Sequence, residues 1–157
     1  MPHTAPPTAL AIELDGVLGD TRALWSDWLV DAGRVLGIDG RALPDDRGEA
    51  AAELDRAGAG NWRTLLERFA EDRAPVYLRR DAETSATLRR LSADGVALGV
   101  FTDAPVELAG VALAQLGASR RLAALEAGPQ ALERLLTTLG DSATVVRTRE
   151  ELRRAAS

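Results

Sequence analysis

Two carboxylates, Glu13 and Asp15, stand at the end of a short apolar run that reads Ala-Leu-Ala-Ile-Glu-Leu-Asp-Gly. Residues two apart on an extended chain point to the same side, so these carboxylates face one direction. Ligand sites of open α/β sheets lie beyond the carboxyl ends of the strands, where two acids can hold a divalent cation. Gly16 follows at once and lets the backbone turn away from the strand.

The elements that position these residues follow from the hydrophobic spacing. Apolar runs predict buried parallel strands near residues 9–14, 96–101, 122–126 and 143–146. Capping residues and glycines delimit helices between them, and the helix that starts at Asn61 is expected to stop at Pro75. The order of strand, helices, strand, helix, strand, helix, strand and helix predicts an α/β fold with a parallel sheet and right-handed crossovers.

Three tryptophans lie in the helical segment that follows the first strand. Trp25, Trp28 and Trp62 recur at helical spacing, which favours packing between helices. A pocket lined by their rings is the alternative.

The segment Leu14-Asp15-Gly16-Val17-Leu18 resembles the first motif of the haloacid dehalogenase-like (HAD) superfamily of phosphatases. The resemblance implies a Rossmann-like α/β core at residues 9–20 and 77–157, after an N-terminal tail at 1–8 that we expect to be mobile. Residues 21–76 match the place and size of a helical cap of the C1 type.

The resemblance also implies roles for single residues. Glu13 stands where the family has its nucleophilic aspartate, and Asp15 where it has its general acid/base. Thr102 ends the second predicted strand, as in the second motif, where the hydroxyl and the following amide, here of Asp103, hold phosphoryl oxygens. Thr102 as an ordinary helix cap is the alternative. Gly16, Asp103 and, by its position after the last strand, Arg147 complete the candidate ligand contacts.

Three departures from the family pattern argue against phosphoryl transfer. Glu13 carries its carboxylate one methylene further out than an aspartate, and catalysis of this kind depends on positioning. The chain has 19 arginines and no lysine, so the lysine of the third motif has no counterpart. Arg147 stands where the fourth motif has a metal-binding aspartate, and only Glu151 approximates the second acid. We expect Arg147 to pair with Glu13 or Asp15 and to take the place of the cation.

Composition limits the remaining classes of function. The 157 residues carry a net charge of −5 with an isoelectric point near 5.0, which argues against nucleic acid or anionic membranes as partners. There is no cysteine, and the single histidine, His3, lies in the predicted tail. The N-terminus lacks the pattern of a secretion signal, so we expect a cytoplasmic protein.

Three functional hypotheses follow. The first is a degenerate HAD-like protein that binds a protein partner or a small anionic or phosphorylated ligand and needs no cofactor. The second is a weak Mg²⁺-dependent phosphatase, with the metal held by Glu13, Asp15 and Glu151. The third is an oligomeric scaffold, since a minimal sheet with an exposed edge would favour a homodimer.

Overall fold

The sheet at the centre of the protein has four parallel strands. A computed structural model describes residues 5–157. The strands are β1 (Ala9–Glu13), β2 (Ala97–Thr102), β3 (Ala124–Ala127) and β4 (Thr144–Val146), and their order across the sheet is β3-β2-β1-β4. Ile12 is level with Val100 on one side and with Val146 on the other. The α/β fold with a parallel sheet is therefore confirmed.

Seven α-helices connect and flank the strands in the described part of the chain. They are α1 (Arg22–Leu36), α2 (Arg47–Arg56), α3 (Trp62–Tyr77), α4 (Ala82–Ala93), α5 (Val106–Gln115), α6 (Ala131–Leu139) and α7 (Arg149–Ala155). We call α1, α2 and α3 the insert helices, because they lie between β1 and the α4–β2 unit. The first two lie within residues 21–76, the range expected for the cap, and α3 starts inside this range and ends one residue past it.

Apolar side chains form two main cores. The first surrounds β1 and β2 and includes Leu10, Ile12 and Leu98, each with no exposed surface. The second lies among the insert helices and reaches Leu108 of α5. Trp28 and Trp62 are both 2% exposed, and their ring centroids are 5.9 Å apart. Trp28 and Trp62 thus pack between helices, as their spacing predicted, whereas Trp25, 5% exposed in the same core, also borders the cleft at the carboxyl ends of the strands.

The expectation that α3 stops at Pro75 is wrong, because the helix continues to Tyr77. A proline removes its own N–H from the helical ladder, and its ring crowds the carbonyl four residues earlier. The helical pattern persists past the proline, since the Leu78 amide donates to the Ala74 carbonyl at 2.8 Å. A proline two residues before the last residue of a helix therefore does not have to end it.

The predicted tail lies only partly within the described residues. His3 is outside them. At the other end of the tail, the Thr8 carbonyl accepts a hydrogen bond from the Ala97 amide at 3.0 Å, which attaches it to the start of β2. Among the described residues, no helix has the length and apolar character needed to cross a bilayer.

Candidate functional site

A cleft of about 630 Å³ opens at the carboxyl ends of the strands, between the insert helices and the start of α6. Charged residues dominate its lining. Six are acidic and three are arginines, namely Glu13, Asp15, Asp45, Asp46, Asp103 and Glu133 with Arg22, Arg47 and Arg147. The charged lining therefore sums to −3, which makes the cleft a poor environment for an additional anion.

Asp15 lies just past β1 and is fixed by the turn that follows. Its Oδ1 accepts hydrogen bonds from the Thr21 amide at 2.7 Å and from the Thr21 hydroxyl at 2.8 Å. The turn itself is closed by the Gly16 amide, which donates to the Gly19 carbonyl at 2.8 Å. Gly16 has a φ of 96°, a conformation that favours glycine. The Gly16 amide is thus engaged within the turn, so Gly16 shapes the site rather than donating to a ligand.

Arg47, the first residue of α2, reaches into the cleft from the insert helices. Its side chain is 3% exposed and forms an ion pair with Asp15 Oδ2. The nitrogen that pairs with Asp15 is Nη2, and it also donates to Asp103 Oδ1 at 2.8 Å. The other terminal nitrogen, Nη1, donates to the Thr21 hydroxyl at 2.7 Å. The Arg47 backbone amide donates to Asp103 Oδ2 at 3.0 Å. One guanidinium therefore occupies the space between two carboxylates of the core.

The pKa values of this group reflect the competition between burial and pairing. Burial raises the pKa of Asp103, but hydrogen bonds from Arg47 outweigh it and hold the pKa below its ordinary value. Burial lowers the pKa of Arg47, but the hydrogen bond to Asp103 and the charge of Asp15 leave it above its ordinary value. Both groups are consequently charged at neutral pH.

Thr102 is buried at the end of β2, 3% exposed, beside this network. Its hydroxyl accepts a hydrogen bond from the Ala104 amide at 3.2 Å and lies 3.4 Å from both Asp15 Oδ2 and Arg47 Nη2. The N-cap of α5 is Pro105, so Thr102 is not the helix cap that the alternative interpretation supposed.

Glu13 and Arg147 form a second ion pair across the same end of the sheet. Arg147 Nη1 lies 2.8 Å from Glu13 Oε2, and the guanidinium lies over the Phe101 ring, 5.3 Å from its centroid. The two side chains are 54% and 31% exposed. The pairing expected from the position of Arg147 after the last strand is thus present.

The Mg²⁺ ion that the fold family implies does not fit beside Glu13. Arg147 neutralises this carboxylate and brings a positive charge to the position where a metal-binding acid would stand. No group of three or more acidic or histidine side chains among residues 5–157 is arranged to hold a metal ion. A hard divalent cation needs several oxygen ligands, which this arrangement does not supply.

Glu151 is not brought to the cleft. It lies in the first turn of α7, where its amide donates to the hydroxyl of the N-cap residue Thr148 at 3.1 Å and its carboxylate accepts from that hydroxyl at 3.2 Å. A favourable position near the helix N-terminus explains this acid, and the structure gives it no role in a metal site.

Arg47 is the site residue that the sequence analysis missed. A local signal for it exists, since α2 begins with Arg47-Gly48 directly after its cap, Asp46. An arginine in the first turn opposes the helix dipole, and glycine is a poor helix former. Residues that break local rules in this way are expected at functional or strained sites.

These observations define an α/β protein with a charged cleft at the carboxyl end of a parallel sheet and a helical insert above it. The chain has the fold of the HAD-like hydrolases. No family model matches the sequence, and no curated protein matches it.

Solved structures carry the comparison. The chain is similar to CbbY from Rhodobacter sphaeroides in complex with phosphate, with a TM-score of 0.67, 16% identity, and coverage of 96% of this chain and 81% of that one. It is also similar to a putative β-phosphoglucomutase from Thermotoga maritima, with a TM-score of 0.55, 17% identity, and coverage of 94% of this chain and 81% of that one. For a haloacid dehalogenase-like hydrolase from Streptococcus pneumoniae the TM-score is 0.56 and the identity 15%, with coverage of 92% of this chain and 76% of that one.

Proposed function

We propose that this chain is a HAD-fold protein without phosphoryl-transfer activity, which works by binding a partner at its cleft. The observation that supports this most directly is the position of Arg47. Its guanidinium engages Asp15 and Asp103 and lies beside Thr102. A phosphoryl group placed at Thr102 would have to displace this arginine.

The pairing of Glu13 with Arg147 adds to the proposal. A carboxylate that attacks phosphorus must be free and aligned with the leaving group. Glu13 instead accepts a hydrogen bond from Arg147 at 2.8 Å. Neither of the two acids needed for phosphoryl transfer is therefore available in this arrangement.

The charge of the cleft favours a neutral or positively charged partner over the small anionic or phosphorylated ligand considered from sequence. CbbY has been solved with phosphate and, as a mutant, with xylulose-(1,5)-bisphosphate. In this chain each of the three arginines of the cleft already has an acidic partner. Arg47 and Arg147 form the ion pairs described above, and Arg22 pairs with Asp20 at 2.7 Å. An anion would have to break these pairs, whereas a cation or a neutral surface would not.

The test is hydrolysis of an aryl phosphate with and without Mg²⁺, comparing the native chain with Asp15→Asn. We expect both proteins to be indistinguishable from buffer. Turnover that requires Mg²⁺ and is lost in Asp15→Asn would contradict the proposal and favour the weak phosphatase. Circular dichroism of both proteins checks that the comparison is made between folded chains.

Inorganic phosphate tests the ligand class separately. We expect millimolar phosphate to leave the melting temperature of the native chain unchanged, because a ligand stabilises only the state that binds it. A rise in melting temperature that Arg147→Gln abolishes would restore the anionic ligand. A homodimer through the edge strands β3 or β4 stays a prediction, which analytical ultracentrifugation would test.

A further inference from the structure

Three oxygen atoms surround one nitrogen of Arg47 and accept its hydrogen bonds. Nη2 is paired with Asp15 Oδ2, lies 2.8 Å from Asp103 Oδ1 and is 3.4 Å from the Thr102 hydroxyl. Carboxylate and hydroxyl oxygens are the donors that hard divalent cations prefer. The point that they surround already holds a positive charge, and the side chain that carries it is only 3% exposed.

We propose that Asp15, Thr102 and Asp103 form a cation site that the chain fills with its own guanidinium, so that Arg47 acts as a tethered cation and holds α2 against the sheet. This site is separate from Glu13, which Arg147 neutralises. The inference rests on the proposed function, because metal-dependent catalysis would need Asp15 free of Arg47.

The first turn of α2 is built to keep Arg47 in place. The Arg47 amide donates to Asp103 Oδ2 at 3.0 Å, so both oxygens of this carboxylate are bound by one residue. The next residue, Gly48, is buried, and a Cβ there would lie 2.8 Å from the Pro129 nitrogen and 3.0 Å from Pro129 Cγ and Cδ. Only glycine lets α2 approach this closely.

Tethering decides the competition with free ions. A group attached to the same chain acts at a high effective concentration, so its apparent affinity for the site is about 10²-fold or more higher than that of the same group free in solution. Millimolar divalent cations therefore do not displace Arg47 from the native chain. Removing the guanidinium leaves the carboxylates of Asp15 and Asp103 converging on an open position, which a small divalent cation can fill.

The experiment measures Mn²⁺ binding by the loss of the free-ion electron paramagnetic resonance signal. We expect Arg47→Gln to bind one Mn²⁺ at least ~10²-fold more tightly than the native chain. Arg41→Gln, which removes an exposed arginine of the same insert, is the matched control and should behave like the native chain. Adding Asp103→Asn to Arg47→Gln should abolish the gain.

Two results would overturn the proposal. One is a folded Arg47→Gln that binds Mn²⁺ no better than the native chain, and the other is a gain that survives Asp103→Asn. If Arg47→Gln does not fold in metal-free buffer, the proposal requires Mn²⁺ to restore a cooperative melting transition, and failure to do so refutes it. Arg47→Lys, which keeps a tethered cation, should fold and stay without Mn²⁺. Binding is measured without turnover, so a failure here leaves the absence of phosphatase activity as a separate result.

Discussion

Replacing Arg47 with glutamine removes the cation shared by two carboxylates and leaves a shorter, neutral polar side chain. Asp15 is 9% exposed and would be left without its counterion. Asp103, at 39% exposed, would recover part of its hydration. Breaking a buried ion pair by removing one partner costs about 3–5 kcal/mol. Because one of the two acids reaches solvent, we expect the lower end of this range, about 3 kcal/mol.

The matched comparison is Arg147→Gln, which breaks the other ion pair of the cleft. Both of its partners are substantially exposed, at 54% and 31%, so solvent screens the pair and its loss should cost less than ~1 kcal/mol. A loss of about 3 kcal/mol corresponds to a fall in melting temperature of roughly 6–12 °C for a chain of this size.

The assay is urea unfolding followed by circular dichroism in metal-free buffer, since a divalent cation would refill the site in Arg47→Gln. A double-mutant cycle with Asp103→Asn then isolates the coupling between the two side chains. If Arg47→Gln and Arg147→Gln destabilise the protein equally, and by less than ~1 kcal/mol, Arg47 is not the buried counterion and the reasoning about the cleft is refuted.

Three further outcomes are expected. Arg47 keeps the pKa of Asp103 low, so their pairing stabilises the native chain fully above the ordinary carboxyl pKa of about 3.9. This stabilisation is lost as the pH falls through the lowered pKa. Unfolding curves from pH 2 to 7 should therefore show a weaker acid dependence of stability in Arg47→Gln than in the native chain. Gly48→Ala should destabilise the protein by about 1–3 kcal/mol, because the added Cβ would clash with Pro129 in the loop between β3 and α6. Gly110 lies within α5 with open space around it, so Gly110→Ala should stabilise the protein by about 0.5–1 kcal/mol. Urea unfolding that ranks the two variants alike would contradict the packing. Trp28→Ala should cost about 3–5 kcal/mol by opening a cavity in the core of the insert helices, measured in the same way.

Much of the fold follows from local pattern. Short apolar runs bounded by glycines and capping residues predicted four parallel strands and the helices between them, because each run is too short for a buried helix but long enough for a buried strand. The end of α3 differs from the prediction by two residues, because Pro75 lies inside its last turn.

One feature of the cleft was also accessible from sequence. Arg147 directly follows Val146, and Val146 is level with Ile12 in the parallel pair of β1 and β4. The next residues of the two strands are therefore neighbours, which brings Arg147 beside Glu13. Register between adjacent strands is strongly specified by burial, so a sequence position can predict such a pair.

The tertiary structure alone decided that Arg47 fills the site. It lies 32 residues from Asp15 and 56 from Asp103 along the chain, on a helix whose approach depends on how Gly48 meets Pro129. No periodicity encodes that distance, because it results from packing between elements rather than from the conformation of one element. The sequence by itself determined a parallel α/β sheet with acids at its carboxyl end, and the packing of the insert helices determined which cation those acids hold.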